Sequence, residues 1–336
     1  VQLTTEIFFS SNQLGVVTNE QLQSMLNRFD LGKLISFEKT PKGVGNQTLF
    51  VRSSSGVYVL KGNPLFSSQF IEEKFYVDNL LRLTKLPVPS PYLVDEQEDI
   101  FGWSYSIMPR LTGRHINEPE FEELSGEDKK QIAELLAISL CELHHWKVDV
   151  YGEFDSKYQN IRPFDGSYKT WLYNRIRYWL EDAKKYSVIT AKDTEWVENL
   201  LTASEKVFDG LRSPTFVMGD FKADNILVQD KPDGWLLSGI FDFTTGYFGD
   251  GIADLPRMIA MYLDNGEEES AKHFISVYYN NCEAKEAFLE RFRVHMLHQR
   301  VLDWGCAKAI NNVTWDNDLP FSQWVERYTE SAAFLF

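Results

Sequence analysis

Three polar residues stand out for what their types and spacing could do together. Asp220 and Asn225 fall in a short polar segment just before the apolar run Ile226-Leu227-Val228. Asp242 follows a second apolar run, Trp235-Leu236-Leu237 through Ile240-Phe241. Between the runs lies Lys231-Pro232-Asp233-Gly234, a turn composition, so the two runs read as a β-hairpin. A hairpin returns the chain to the end it started from, which gathers Asp220, Asn225 and Asp242 at one end of a small sheet. Hard oxygen donors on loops suit Mg²⁺ better than zinc or iron.

Asp-x-x-x-x-Asn, then an apolar run, then Asp-Phe is the spacing that phosphoryl transfer requires of a catalytic loop and a metal-binding loop. Such a site needs partners from elsewhere in the chain. Strand-like runs at Leu34–Lys39 and 48–52 flank Lys42-Gly43-Val44-Gly45-Asn46-Gln47. Through Gly43, Gly45 and Asn46 that turn could lay backbone N–H groups on phosphate oxygens, although a plain hairpin loop is the commoner use of such a sequence. The alternating strand Gly56-Val57-Tyr58-Val59-Leu60-Lys61 ends in a lysine. A helical pattern follows over 70–83, with Glu72 and Glu73 in its first turns. Glu73 is the better partner for Lys61, because Val77 and Leu80 then fall one and two turns on as core neighbours. A further strand at 103–108 leaves through Pro109-Arg110-Leu111. The backbone of that exit, Pro109 to Leu111, could take the edge of a nucleotide base, with Met108 as a wall.

The elements that position these residues belong to an ordinary globular chain of 336 residues, 43% hydrophobic and 25% charged. Its apolar runs are too short to span a bilayer, and no signal-peptide pattern opens it, so no membrane role is expected. Cys141, Cys282 and Cys306 are scattered, which argues against a disulfide framework or zinc site and fits a reducing cytoplasm. The net charge of −15 argues against a nucleic-acid partner, which would need a basic face. An acidic protein can attract cationic small molecules, but surplus carboxylates more often serve solubility.

Amphipathic patterns predict helices at 131–146, 167–186, 196–208 and 283–310, besides one behind the capping box at Thr18 that Gly32 would end. His144 and His145 close the first of these as structural residues. Trp171, Tyr173, Tyr178 and Trp179 beside Arg175 and Arg177 could line a cleft or simply pack. Asp250 and Asp254, in Gly249-Asp250-Gly251-Ile252-Ala253-Asp254, read as anchors at a helix start. In the tail, Trp304, Trp315 and Trp324 beside Asp303, Asp316 and Asp318 could grip a hydroxylated, aminated ligand, with packing the simpler use.

Taken in order, the Gly loop, Lys61, Glu73, Leu86-Pro87-Val88-Pro89, Met108 followed by Gly113, Gly219-Asp220 with Asn225, Ile240 with Asp242-Phe243, and Gly249-Asp250 with Asp254 resemble the aminoglycoside phosphotransferase and choline-kinase-like superfamily. The likeness covers about residues 40–260. The run 241–250 is similar to the hygromycin-type antibiotic kinases. The resemblance implies an α+β, bilobal protein-kinase-like fold, with a small mostly β lobe at 1–108 and a larger helical lobe at 109–336. It implies that Lys61, held by Glu73, fixes the phosphates of ATP or GTP, that Asp220 is the base, and that Asn225 and Asp242 hold Mg²⁺. Lys222 could neutralise charge on the transferring group. The implied reaction phosphorylates a hydroxyl of a small, possibly cationic molecule, an aminoglycoside or related antibiotic. The alternatives are a kinase of choline, a sugar, homoserine or a macrolide, or a nucleotide-binding pseudokinase. A cytoplasmic monomer or homodimer is expected. One position departs from the family pattern: Met218 stands where a His usually precedes Gly-Asp.

Overall fold

The computed structural model describes residues 3–8, 15–40 and 46–335. The loop glycines Gly43 and Gly45 therefore lie outside the described residues. A single turn, α1 (Thr5–Phe8), precedes α2 (Asn19–Arg28), whose N-terminus is closed by a reciprocal capping box between Thr18 and Gln21. Leu22, Met25 and Leu26 on α2 are fully buried. The helix ends at Arg28, ahead of Gly32, because Asp30 already turns left-handed at φ 54°. Gly32 itself, at φ 83°, sits where a Cβ would come within 2.4 Å of the Ser54 hydroxyl.

Strands β1 (Leu34–Lys39), β2 (Gln47–Ser53), β3 (Gly56–Gly62), β4 (Leu93–Asp95) and β5 (Tyr105–Pro109) form an antiparallel sheet in the order β1-β2-β3-β5-β4. Leu49, Val51, Leu60, Tyr105 and Ile107 make a small core with the buried face of α2. Between β3 and β4 runs α3 (Gln69–Leu83). Its inner residues Tyr76, Val77 and Leu80 belong to the larger core of the rest of the chain. The helix between two strands of the sheet thus packs into the core of the rest of the chain.

The remainder is mostly helical: α4 (Gly126–Leu143), α5 (Tyr168–Ala183), α6 (Ala191–Ala203), α7 (Leu255–Asp264), α8 (Glu268–Asn281), α9 (Phe288–Ala309), α10 (Phe321–Thr329) and α11 (Ala332–Leu335). Set among them is the hairpin of β9 (Ile226–Lys231) and β10 (Gly234–Ile240), the two strands read from the apolar runs. A four-stranded antiparallel sheet, absent from the sequence reading, joins β6 (Gly152–Asp155), β7 (Asn160–Pro163), β8 (Thr215–Val217) and β11 (Tyr247–Gly249) in the order β7-β6-β11-β8. No helix among the described residues is long and apolar enough to cross a membrane.

The tail aromatics are packing residues. Trp304 and Trp324 are buried with ring centroids 5.2 Å apart, and Trp315 stacks on Trp304 at 5.4 Å. Asp316 is spent within its own turn, accepting from the Asp318 N–H at 3.0 Å. Trp171 likewise stacks on Phe164 at 3.9 Å. Aromatic pairs at such distances contribute beyond the area they bury, so these rings fasten helices together.

Candidate active site

The hairpin register pairs Ile240 with Ile226, and the Phe241 N–H donates to the Asn225 carbonyl at 3.1 Å. Asn225 and Asp242 are therefore held side by side at one end of the hairpin. Asp242 adopts φ 69°, a left-handed conformation that costs a non-glycine residue about 1 kcal/mol or more. Its carboxylate is fastened there, with Oδ1 2.9 Å from Lys61 Nζ and 2.8 Å from the donating Thr244 hydroxyl. Strain of this kind persists where the surroundings over-determine it.

Lys61 sits at the end of β3 and donates to three acceptors: Glu73 Oε1 at 2.7 Å, Asp242 Oδ1 at 2.9 Å and Thr244 Oγ1 at 3.0 Å. Burial opposes its charge, but Asp242 and Glu73 outweigh that and hold the ammonium above its ordinary range. The same lysine helps keep the Asp242 carboxyl below its ordinary range despite the burial that works the other way. Glu73, buried on α3, also accepts from the Tyr92 hydroxyl at 2.9 Å and the Gln69 side chain at 3.0 Å. Asn46 is buried rather than turned to the phosphate loop. Its side chain exchanges hydrogen bonds with Gln69 at 2.9 and 3.2 Å and donates to the Asn63 carbonyl at 2.7 Å. It ties the start of β2 to α3.

Along the exit from β5, Met108 is buried and pairs with Val59, and Pro109 pairs with Tyr58. Proline has no N–H, and the Arg110 N–H is given to the Val57 carbonyl at 2.9 Å. Of the three residues at this exit, Leu111 is the one with an N–H that makes no backbone hydrogen bond among the described residues. Leu111 lies close enough to Gly239 that a Cβ there would approach its Cδ1 to 3.0 Å.

The loop carrying Asp220 is shaped through its backbone. The Met218 and Gly219 N–H groups donate to the Asp254 carboxylate at 2.8 and 2.7 Å, and Thr245 Oγ1 donates to the Met218 carbonyl at 3.2 Å. Asp254 is in turn 3.1 Å from His144 Nε2, whose Nδ1 faces the Tyr278 hydroxyl at 2.9 Å. The Met218 side chain is fully buried among apolar residues. Since the loop is held by main-chain donors, it does not need a hydrogen-bonding side chain at position 218. Asp250 anchors the next turn: Arg291 donates to it at 2.6 Å and His295 Nε2 lies 2.9 Å away, all three buried. Burial alone would raise the Asp250 carboxyl, but the Arg291 charge and the His295 contact hold it well below the usual range.

Asp220 itself is surrounded. The Asn225 side chain donates to the Asp220 carbonyl and to its Oδ2, each at 2.9 Å. Lys222 Nζ lies 2.9 Å from Oδ2, and Arg257 Nε lies 2.9 Å from Oδ1. Arg257, on α7, also reaches Asp303 of α9, Nη1 to Oδ1 at 3.3 Å. Sequence reading does not find Arg257, Gln69 or Tyr92 at the site, since none stands in a motif; it assigns no role to Thr244 inside the run 241–250 and places Asp303 among the tail aromatics.

These donors fit a hard cation. With its nitrogen committed to Asp220, Asn225 has its amide oxygen for a metal, and the Asp242 side chain is 37% exposed beside it. No group of three His, Cys, Asp or Glu among the described residues forms a complete cage. A cation here would complete its shell with phosphate oxygens and water, which is Mg²⁺ behaviour.

A five-stranded sheet joined by α3 to a helical body, with these residues between them, defines a protein-kinase-like phosphotransferase fold. The chain belongs to the phosphotransferase enzyme family, whose model matches residues 36–289. It is 24% identical over 270 residues to acyl-CoA dehydrogenase family member 11 of Mus musculus, covering 78% of this chain and 32% of that protein. It is 25% identical over 235 residues to a homoserine kinase of Methylobacillus flagellatus, covering 68% of this chain and 63% of that one. The chain thus spans less than two thirds of either relative. A thermostable mutant of aminoglycoside phosphotransferase APH(4)-Ia, in ternary complex with ADP and hygromycin B, superimposes with a TM-score of 0.65 at 13% identity, covering 93% of this chain and 97% of that one. At that identity the likeness is one of fold.

Proposed function

We propose that the chain moves the γ-phosphoryl group of ATP or GTP to a hydroxyl of a small molecule. The observation that carries this reading is the convergence of Asp220, Asn225 and Asp242 at the hairpin end with the Lys61–Glu73 pair set against them. Nucleotide use is supported by the family and by the ADP complex of the neighbour. Lys61, charged and fixed by Glu73, binds the α- and β-phosphates. Leu111 offers a backbone donor to the base. Asn225 and Asp242 would hold Mg²⁺, which would supply neutralisation of charge on the phosphates. Asp220 accepts the proton of the acceptor hydroxyl as its oxygen bonds to phosphorus and the bond to the leaving nucleoside diphosphate breaks. Lys222, beside Oδ2, balances negative charge on the group in transit.

Two acceptor classes compete. Aminoglycosides are supported by the structural neighbour, and hydroxylated metabolites by the homoserine kinase likeness. The cations at Asp220 favour the metabolite. A nucleotide-binding scaffold without transfer activity is disfavoured, because the base and both metal-ligand positions are filled. The test is release of nucleoside diphosphate with a panel of hydroxylated acceptors, with the product identified by mass. Asp220→Ala and Asp242→Ala should each lower kcat by at least about 10²-fold while circular dichroism stays unchanged. Full turnover in purified Asp220→Ala would sink the base assignment.

A further inference from the structure

The two oxygens of Asp220 are not equivalent. Oδ2 receives the Asn225 amide and faces Lys222, each at 2.9 Å. Oδ1 is buried and has no hydrogen-bond partner among the described residues, although Arg257 Nε is only 2.9 Å away. Nε is buried and equally without a hydrogen bond. The approach is a charge contact in which the N–H is not aligned on the oxygen. A buried acceptor and a buried donor therefore lie side by side with their directional bonds unmade. A buried donor and acceptor left so are destabilising, and the pair is set to be completed by something else. Oδ1 is the oxygen available to take a hydroxyl proton, so Arg257 Nε addresses whatever substituent the acceptor carries next to that hydroxyl.

Two further basic side chains near Arg257 carry buried polar atoms without a hydrogen bond. His298 of α9 has Nε2 buried without a hydrogen bond, and Arg175 of α5 has Nε in the same condition. Burial, and after it the charges of Arg175, His295 and Arg257, hold His298 well below its usual range, which keeps it a neutral imidazole near these guanidinium groups. The carboxylates nearby are already engaged. Asp303 is met by Arg257 and Arg300 and accepts from Gln299 at 3.0 Å. Asp224 accepts from Asn117 at 2.8 Å. A substrate ammonium would find these anions neutralised, whereas an anionic group would find unmade donors.

Resting on the kinase reading above, the geometry points to an acceptor that carries a carboxylate besides its hydroxyl, with Arg257 as the residue that binds it. A planar carboxylate matches the guanidinium fork and would make the directional bond that Arg257 Nε lacks. An alcohol without the anion leaves that bond unmade.

The experiment uses hydroxy carboxylates from glycolate to 6-hydroxyhexanoate, each beside its primary amide, with hygromycin B and kanamycin as cationic acceptors. Binding is measured by calorimetry in the presence of Mg²⁺ and a non-hydrolysable ATP analogue, and turnover by coupled ADP release. At least one carboxylate should bind and turn over at least about tenfold better than its amide. Arg257→Gln should abolish that preference by raising the KM of the acid while leaving nucleotide KM unchanged, and Arg257→Lys should restore part of it. The inference is overturned if amides or aminoglycosides match the acids, if no carboxylate binds, or if Arg257→Gln lowers kcat for acid and amide alike without changing their ratio. Carboxylate binding without any phosphorylated product would instead overturn the kinase reading and leave the anion site standing.

Discussion

Lys61 donates to Glu73, Asp242 and Thr244 at once, and the consequences of removing it divide between binding and stability. Lys61→Met deletes the cation assigned to the phosphates, and nucleotide KM should rise by about 10–100-fold, the range for a lost charge-assisted hydrogen bond. It also strands Glu73, whose side chain is 2% exposed, so thermal denaturation should show a lower Tm. The double substitution Lys61→Met with Glu73→Leu should recover much of the Tm and none of the nucleotide affinity. Recovery of affinity would mean that the phosphates are held elsewhere. The Lys61–Glu73 contact could be read from order along the chain, since strand, lysine, helix and glutamate follow one another closely. Arg257 could not. It reaches Asp220 through the placement of α7, and an isolated arginine on an apolar helix carries no signal of what it faces.

At the scale of elements, legibility followed periodicity. The hairpin β9–β10 declares itself by two apolar runs around a Pro-Asp-Gly turn, and the first sheet by alternation in β2 and β3. The second sheet was not legible because its strands are three or four residues long, too short for a period to show. That sheet matters, because β8 and β11 bracket the loop that carries Asp220 and are closed by the turn that Asp250 anchors. Asp250 has a folded-state pKa below its unfolded value, so its stabilisation is complete above about pH 4 and is lost as pH falls through the folded value. Asp250→Asn removes it at every pH and leaves Arg291, 1% exposed, without a counter-charge. The loss should be about 3–5 kcal/mol, read from the urea midpoint at pH 7. A variant within about 0.5 kcal/mol of the parent would show that the pair is replaceable by neutral hydrogen bonds.

Across the whole molecule, α3 is the element that fixes the sheet to the helical body. Phe75 stacks on Phe154 of β6 at 3.6 Å, and the Tyr76 hydroxyl donates to the Gly246 carbonyl at 2.9 Å, just beyond Asp242 and Thr244. Because the helix that carries Glu73 is clamped on this side, the ion pair with Lys61 is set before any nucleotide arrives. The same contact holds a titrating group. Burial pushes the Glu72 carboxyl up to about 7, with the Ser68 hydroxyl working against it and Glu153 of β6 adding to it. A carboxyl raised in the folded state stabilises fully below its unfolded value of 4.5, and that contribution is lost as pH rises through about 7. The joint between α3 and β6 should therefore loosen on the alkaline side. Glu72→Gln, which keeps the shape and cannot ionise, should flatten the Tm-against-pH curve between pH 5 and 8 and raise Tm at pH 8 by on the order of 1–3 °C. Lys61 keeps its charge across that window, so nucleotide KM should not follow the same curve. A Tm curve that keeps its slope in Glu72→Gln would place the pH sensitivity in another group and leave the clamp resting on its aromatic contacts.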